Sequence, residues 1–184
     1  MRIITGTARG RKLETLPGDE ITRPTSEKVK EAVFSMIQFD LEGRRVLDVF
    51  GGSGQMALEA LSRGAEFAVI GDIDPKAALI IKKNAQNTKL YDRTDVKTTD
   101  YKNLIKGQSG RTKFNIVFLD PPYASGLIPD ALNRLLRDDV LAPRALVVCE
   151  SSDTEPFQNE AFELVSFHRY GKTYVTLLCK KEET

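Results

Sequence analysis

The chain has 184 residues, 41% of them hydrophobic and 29% charged, with a formal net charge of +1. That is long enough for one domain with a sizeable core, and the composition excludes disordered, fibrous and disulfide-rich classes. No apolar run is long enough to span a bilayer and no signal-peptide pattern opens the chain, so the cytoplasm is the expected location.

The small net charge hides an asymmetry. Residues 1–13 hold Arg2, Arg9, Arg11 and Lys12 with no acid, a local +4 that leaves the remainder at −3. Residues 2–5 and 12–16 flank Gly6-Thr7-Ala8-Arg9-Gly10-Arg11, a pattern that predicts an N-terminal β-hairpin. Its turn would present Arg9, Arg11 and Lys12 together, either as a phosphate-binding arm or as a solvated basic turn. Next come Arg23, Pro24 and Thr25. Pro24 discourages helix before it, Thr25 or Ser26 can cap the helix after it, and Val29, Ala32, Val33, Met36 and Ile37 form that helix's core stripe. Arg23 and Thr25 are candidate contacts to a substrate backbone. We divide the chain into a basic hairpin, 1–22, and a catalytic domain, 23–184.

The centre of the sequence is Arg45-Val46-Leu47-Asp48-Val49-Phe50-Gly51-Gly52-Ser53-Gly54, followed by a helical run from Gln55 to about Arg63. An apolar strand, a glycine turn and a helix start make a nucleotide-type site. Gly52-x-Gly54-x-x-Ala57 also fits a loose dinucleotide fingerprint. Asp48 argues otherwise: a carboxylate there repels a pyrophosphate and attracts the cationic S-adenosylmethionine. Gly64 is a helix stop, and Phe67–Asp72 reads as a second strand ending in an acid 21 positions after Gly51. In a βαβ unit such an acid reaches the ribose hydroxyls. Asp74 is its decoy, and Pro75 opens a helix over 76–86.

Residues 94–97 make a short third strand. Asp100 after it can accept from an adenine amino group or cap the helix over 101–105, and both readings stand. The strand 114–119 runs into Asp120-Pro121-Pro122-Tyr123. Two prolines remove two N–H donors and end the strand, leaving acceptors only, with an aromatic ring behind them. Such a loop suits an exocyclic amine: acceptors hold its two N–H groups and free its lone pair, while Tyr123 stacks on the base. Residues 127–136 are a core helix, 145–150 a buried strand, and 162–170 with 172–180 an antiparallel hairpin closing the sheet edge. His168 reads as a strand-surface side chain. Cys149 and Cys179 lie in apolar runs without metal-ligand spacing and read as buried free thiols, so no metal site is expected.

These motifs resemble the RsmD-type bacterial methyltransferases, which methylate the N2 of a guanine in 16S ribosomal RNA. The resemblance is carried by Thr5-Gly6-Thr7-Ala8-Arg9-Gly10-Arg11-Lys12-Leu13, Arg23-Pro24-Thr25, the Asp48–Gly54 turn, Leu58-Glu59-Ala60-Leu61-Ser62-Arg63-Gly64-Ala65 and Asp120–Tyr123. It implies a class I S-adenosylmethionine-dependent α/β fold: a Rossmann-like, mostly parallel seven-stranded sheet with an antiparallel last strand, plus the hairpin. It implies a monomer acting on 16S rRNA or the assembling 30S subunit. It makes Asp48, Gly51, Gly54 and Asp72 cofactor contacts, to which Phe50, Gly52, Ser53, Ile73, Asp100 and Tyr101 add as their neighbours. Asp120, Pro121, Pro122 and Tyr123 become the catalytic loop. Three departures stand out: Gly52 for the usual alanine, Gln55-Met56-Ala57 for a Leu-Gly-containing helix start, and Asp72 for the usual Glu. A DNA adenine or cytosine amino-methyltransferase shares the Asp-Pro-Pro-Tyr logic but needs target-reading structure for which there is little room. Asp48 and the Pro-Pro turn disfavour an oxidoreductase. The presence of Asp120 and Tyr123 disfavours a silent assembly factor.

Overall fold

The computed structural model describes residues 1–17, 24–122 and 126–182, and for Pro24 and Thr25 the backbone only. Seven strands form one sheet: β1 (Arg45–Asp48), β2 (Phe67–Asp72), β3 (Thr94–Thr98), β4 (Phe114–Leu119), β5 (Leu141–Ser151), β6 (Phe162–Tyr170) and β7 (Thr173–Lys180). Their order is β3-β2-β1-β4-β5-β7-β6. Neighbours from β3 to β5 pair in parallel, and β7 runs antiparallel between β5 and β6. This is the expected class I methyltransferase sheet. The last strand is an inner one, and β6 takes the edge.

Central strands are covered on both faces, which is why they read as mostly apolar runs rather than alternating ones. One face packs on α1 (Pro24–Met36), α2 (Gln55–Ser62) and α3 (Pro75–Asn87), through Phe34, Leu58 and Ile81 against Val46, Ile116 and Phe118. The other packs on α4 (Tyr101–Lys106) and α5 (Leu127–Arg137), through Leu104, Leu132 and Leu135 against Leu47, Val117 and Val147. Several details differ from expectation. The first helix begins at Pro24 rather than after a cap at Thr25 or Ser26, because proline's fixed φ suits a first helical turn. The fifth strand starts at Leu141, four residues before Ala145, and its pairing with β4 is irregular between Phe114 and Ile116. Two 3-10 turns, Gln38–Asp40 and Tyr91–Arg93, lack a sequence signal of their own. After α2, Ala65 N–H donates to Ala60 O and Gly64 N–H to Leu61 O, the closed helix end that Gly64 announces.

The N-terminal hairpin is closed by a single antiparallel bridge, Arg2 to Lys12, with Ile3 N–H donating to Arg11 O and Gly10 N–H to Ile3 O. It packs on the body. Ile3, Ala8 and Leu13 are buried in the α1–α3 core. The wholly buried Glu59 of α2 accepts from Ile4 N–H and Thr5 N–H, and Ser62 Oγ accepts from Ala8 N–H and donates to Thr5 O. These bonds satisfy backbone donors and acceptors that the one-bridge hairpin leaves unpaired. Cys149 and Cys179 are free and buried, and His168 is exposed on β6. No helix among the described residues is long and apolar enough to cross a membrane.

Candidate active site

Strand order reverses between β1 and β4, and a cleft of about 1450 Å³ opens there at the carboxyl ends of the strands. Open α/β sheets bind ligands at this point. The cleft has two halves, one over β1, β2 and β3 and the other over β4, β5 and β7.

The first half is built around the glycine turn. Gly51 N–H donates to Gly71 O at 2.7 Å, locking the turn to the next strand. A Cβ on Gly51 would lie 2.5 Å from Ile70 Cγ2, so the glycine is required by strand packing. Gly52 differs: it takes a positive φ of 57° and faces open space, the backbone a ligand can approach. Asp72 ties the turn down further. Its Oδ2 accepts from Gly52 N–H at 2.9 Å and its Oδ1 from Asp74 N–H at 2.8 Å. Each oxygen accepts one bond and keeps a second lone pair, and Asp72 lines the cleft. Asp74, the decoy, is the N-cap of α3 and accepts from Lys76 N–H. Asn84 of α3 joins turn and arm: its Nδ2 donates to Ser53 O and Glu14 O, and its Oδ1 accepts from Glu14 N–H.

Asp48 is 2% exposed. Burial first, then the charges of Asp120 and Asp72, raise its pKa to about 7, against hydrogen bonds from the backbone of Ala57 and Phe50. It thus braces the turn from below as well as bordering the cleft. Phe50 packs on Tyr101 at 5.6 Å between ring centroids, and Tyr101 Oη donates to Asp130 Oδ2 at 2.7 Å. Arg134 Nε donates to the same oxygen and holds the Asp130 carboxyl below its usual range. Ile73 is 73% exposed on the cleft wall. Asp100 caps α4, accepting from Lys102 N–H and Asn103 N–H; those bonds, Asn103's first, lower its pKa. Its carboxylate also borders the cleft, so the cap does not exclude an adenine contact.

The second half holds Asp120, Pro121 and Pro122 beyond β4. Asp120 is exposed beside the cleft, yet the protein packed around its carboxyl raises its pKa to about 6. Tyr123 lies outside the described residues, as does Arg23; Thr25 is in the first turn of α1. Ser151, Asp153, Lys172 and Thr173 line the same half, and so does Lys30, whose Nζ donates to Arg2 O and lies 3.6 Å from Glu59 Oε2. Burial lowers the Lys30 pKa despite that partner. The most telling residue that sequence reasoning missed is Glu150 at the end of β5. Its signal was available: like Asp48, Asp72 and Asp120, it is an acid terminating an apolar strand.

Arg9, Arg11 and Lys12 share an exposed turn outside the cleft, with Arg11 Nη1 donating to Asn87 O at 3.2 Å. The arm reaches the cleft through Met1, Thr15 and Leu16 instead. Among the described residues no group of His, Cys, Asp and Glu is arranged to hold a metal ion.

The family model described as conserved hypothetical protein 95 matches residues 1–179. Ribosomal RNA small subunit methyltransferase D of Escherichia coli K12 is 37% identical over 151 residues, 82% of this chain and 74% of that protein. Its Haemophilus influenzae counterpart is 34% identical over 157 residues, 85% of this chain and 81% of that one. The solved structure of yhhF from Escherichia coli superposes with a TM-score of 0.88 at 32% identity, covering 100% of this chain and 99% of its own. With the model matched over nearly the whole chain, this protein belongs to the family of the ribosomal RNA small subunit methyltransferases D.

Proposed function

We propose that this protein transfers a methyl group from S-adenosylmethionine to the exocyclic N2 of a guanine in 16S ribosomal RNA, on the RNA or the assembling 30S subunit. The observation that carries the reading is the position of Asp120: an acceptor at the end of β4, in one cleft with the glycine turn and next to the strand that bears it. Family membership supports the reaction and the RNA class.

The cofactor half fits S-adenosylmethionine. Open backbone at Gly52, free lone pairs on Asp72 and an uncovered Ile73 side chain suit a nucleoside with ribose hydroxyls and a flat apolar base. When bound, the cofactor supplies an electrophilic methyl group. Asp48, Phe50, Gly51, Gly52, Ser53 and Gly54 hold its methionine side, Asp72 and Ile73 the ribose and one face of the adenine, and Asp100 and Tyr101 the far wall. In the other half, the Asp120 carboxylate and the carbonyls beside Pro121 and Pro122 accept the two N2 hydrogens. That leaves the nitrogen lone pair directed into the cofactor half. With no N–H on either proline, no backbone donor of that pair competes for the lone pair. Tyr123 stacks on the base, and the proton released from N2 passes to the carboxylate and then to water. The guanine enters unstacked, at a cost of roughly a few kcal/mol.

Residues 1–22 serve as the RNA arm, with Arg9, Arg11 and Lys12 on phosphates and Arg23 and Thr25 at its junction with the catalytic domain, 23–184. We place the protein in the cytoplasm, where its substrate is made, as a monomer. The test is methyl transfer from labelled S-adenosylmethionine to unmodified 30S particles, naked 16S RNA and duplex DNA side by side. Label in RNA that maps to guanine N2 by nucleoside mass spectrometry is the expected result. Label confined to DNA would replace this reading with that of a DNA amino-methyltransferase.

A further inference from the structure

The mechanism above leaves Glu150 unused. It lies in β5 next to Ser151 and borders the cleft, and its side chain makes neither a hydrogen bond nor an ion pair among the described residues. Sheet register sets its position. Leu119 of β4 pairs with Cys149 of β5. Continuing that register one residue past the end of β4 sets Asp120 beside Glu150, with backbones about 4.8 Å apart, and both residues line the cleft. Burial and then the charges of Asp120 and Asp48 push the Glu150 pKa well above the ordinary glutamate value. That setting favours the protonated carboxyl, which offers one donor and one acceptor.

We propose that Glu150 reads the Watson–Crick edge of the target guanine, its carbonyl oxygen accepting from N1–H and its hydroxyl donating to O6, while Asp120 holds N2. This rests on the N2 assignment made above. The order of groups along the base edge is what selects guanine. Counting from the reacting amine, guanine presents a donor and then an acceptor. Adenine, held by N6, presents the N1 acceptor and then a C–H. Cytosine, held by N4, presents two acceptors in a row. A protonated carboxyl beside Asp120 makes two bonds only to guanine: adenine in that register takes one, from the hydroxyl to N1, and cytosine leaves one of its two acceptors unmatched. Glu150 is thereby a specificity determinant in the substrate half, separate from the acceptor that prepares the amine.

Two variants separate this role from packing and from charge. Glu150→Gln keeps one donor and one acceptor in the same outline; Glu150→Ala removes both. On the RNA substrate that wild type methylates, kcat/KM should fall on the order of 10- to 100-fold in Glu150→Ala, the range expected when a bidentate hydrogen bond to a base is removed. Glu150→Gln should stay close to wild type, and the dissociation constant for S-adenosylmethionine should be unchanged in both by calorimetry. Wild-type kcat/KM in Glu150→Ala would overturn the proposal. So would a Glu150→Gln variant as impaired as the alanine, since a carboxylate charge would then be what matters. Should Glu150→Ala fail to fold, Glu150→Met, of similar length and without a strong hydrogen-bonding atom, takes its place with the same expectation. Mass spectrometry of the wild-type product keeps the two failures apart. Methyl on adenine or cytosine sinks the N2 reading together with this one, whereas methyl on guanine N2 with a fully active alanine variant sinks this one alone.

Discussion

The two halves of the cleft stand on equivalent strand ends and use their polar atoms in opposite ways. Over β1 and β2 the polar groups are already engaged: Asp72 bridges two turns, Asn84 makes three hydrogen bonds, and Gly51 is pressed against Ile70. Over β4 and β5 the acids are left to the cleft: burial raises the proton affinity of Asp120, and burial with the charges of Asp120 and Asp48 raises that of Glu150. A satisfied network is rigid, which suits a cofactor that is the same in every turnover. Unpaired carboxyls are costly in the empty protein and become useful only when a base brings donors to them. The first half is pre-organised structure; the second holds its hydrogen-bonding capacity for the substrate.

The largest test of that contrast is Asp120→Ala. Removing the acceptor should lower turnover by about 10²–10³-fold or more while leaving calorimetric cofactor binding nearly intact, because no bond of the cofactor half passes through Asp120. Parallel losses in both would erase the division. Gly51→Ala should do the reverse. A Cβ placed 2.5 Å from Ile70 Cγ2 and 3.0 Å from Ile81 Cδ1 must push the turn away from β2, an overpacking cost of roughly 1–3 kcal/mol. The expected signs are a lower Tm and a weaker cofactor dissociation constant; an unchanged pair of values would mean the turn is softer than its hydrogen bonds suggest.

Asp72→Ala comes next. It removes the ribose acceptor and orphans Gly52 N–H and Asp74 N–H, each worth about 1–3 kcal/mol if left unpaired by water. Cofactor affinity should fall by roughly an order of magnitude. An unchanged dissociation constant would leave Asp72 as a brace with no ligand role. Replacing Arg9, Arg11 and Lys12 together should act outside both halves. RNA affinity should drop, and the slope of log affinity against log salt should flatten by roughly 0.7–0.9 for each phosphate no longer neutralised, with cofactor binding unaltered. A slope equal to wild type removes the arm from RNA binding.

Most of the sheet was legible because its strands are buried on both faces and therefore mostly apolar, with Asp48 the one polar residue from Val46 to Val49 and Asn115 the one from Phe114 to Leu119. The stops were legible where a single residue decides them, as Gly64 and Pro75 do. Strand extent was less so: residues 141–144 include Pro143 and the exposed, positive-φ Arg144, which look like a loop and are carried along by the pairing of Leu141 with Phe114 of β4. The site was legible as motifs and obscure in its long-range bonding. Nothing in the spacing of Asn84 announces that it joins Glu14 to Ser53 across 70 and 31 positions. Glu59, inside a helical stripe, gives no sign that it receives Ile4 and Thr5 N–H groups from the arm. Long-range polar satisfaction depends on which backbone groups the fold leaves unpaired, and that is decided only when the elements meet.

The smallest expected effect is on pH dependence, and it crosses the boundary between the halves. Asp48 belongs to the cofactor half by position and to the acidic group by charge, with its pKa raised to about 7. A carboxyl whose folded pKa lies above its unfolded value holds a proton in the folded state that the unfolded chain has released. Its contribution to stability is therefore present below about pH 4 and is lost as pH rises through the folded value. Asp120, raised to about 6, acts in the same direction. The unliganded protein should accordingly lose Tm between about pH 4 and 7 on account of these groups. A cationic cofactor bound beside Asp48 favours the charged form, so the dissociation constant for S-adenosylmethionine should tighten as pH rises toward 7 and level off above it, by less than tenfold per pH unit for one proton. S-adenosylhomocysteine lacks the sulfonium charge and should show a shallower slope. Equal slopes for the two would place the Asp48 charge away from the sulfur and confine that residue to bracing the turn through Ala57 and Phe50.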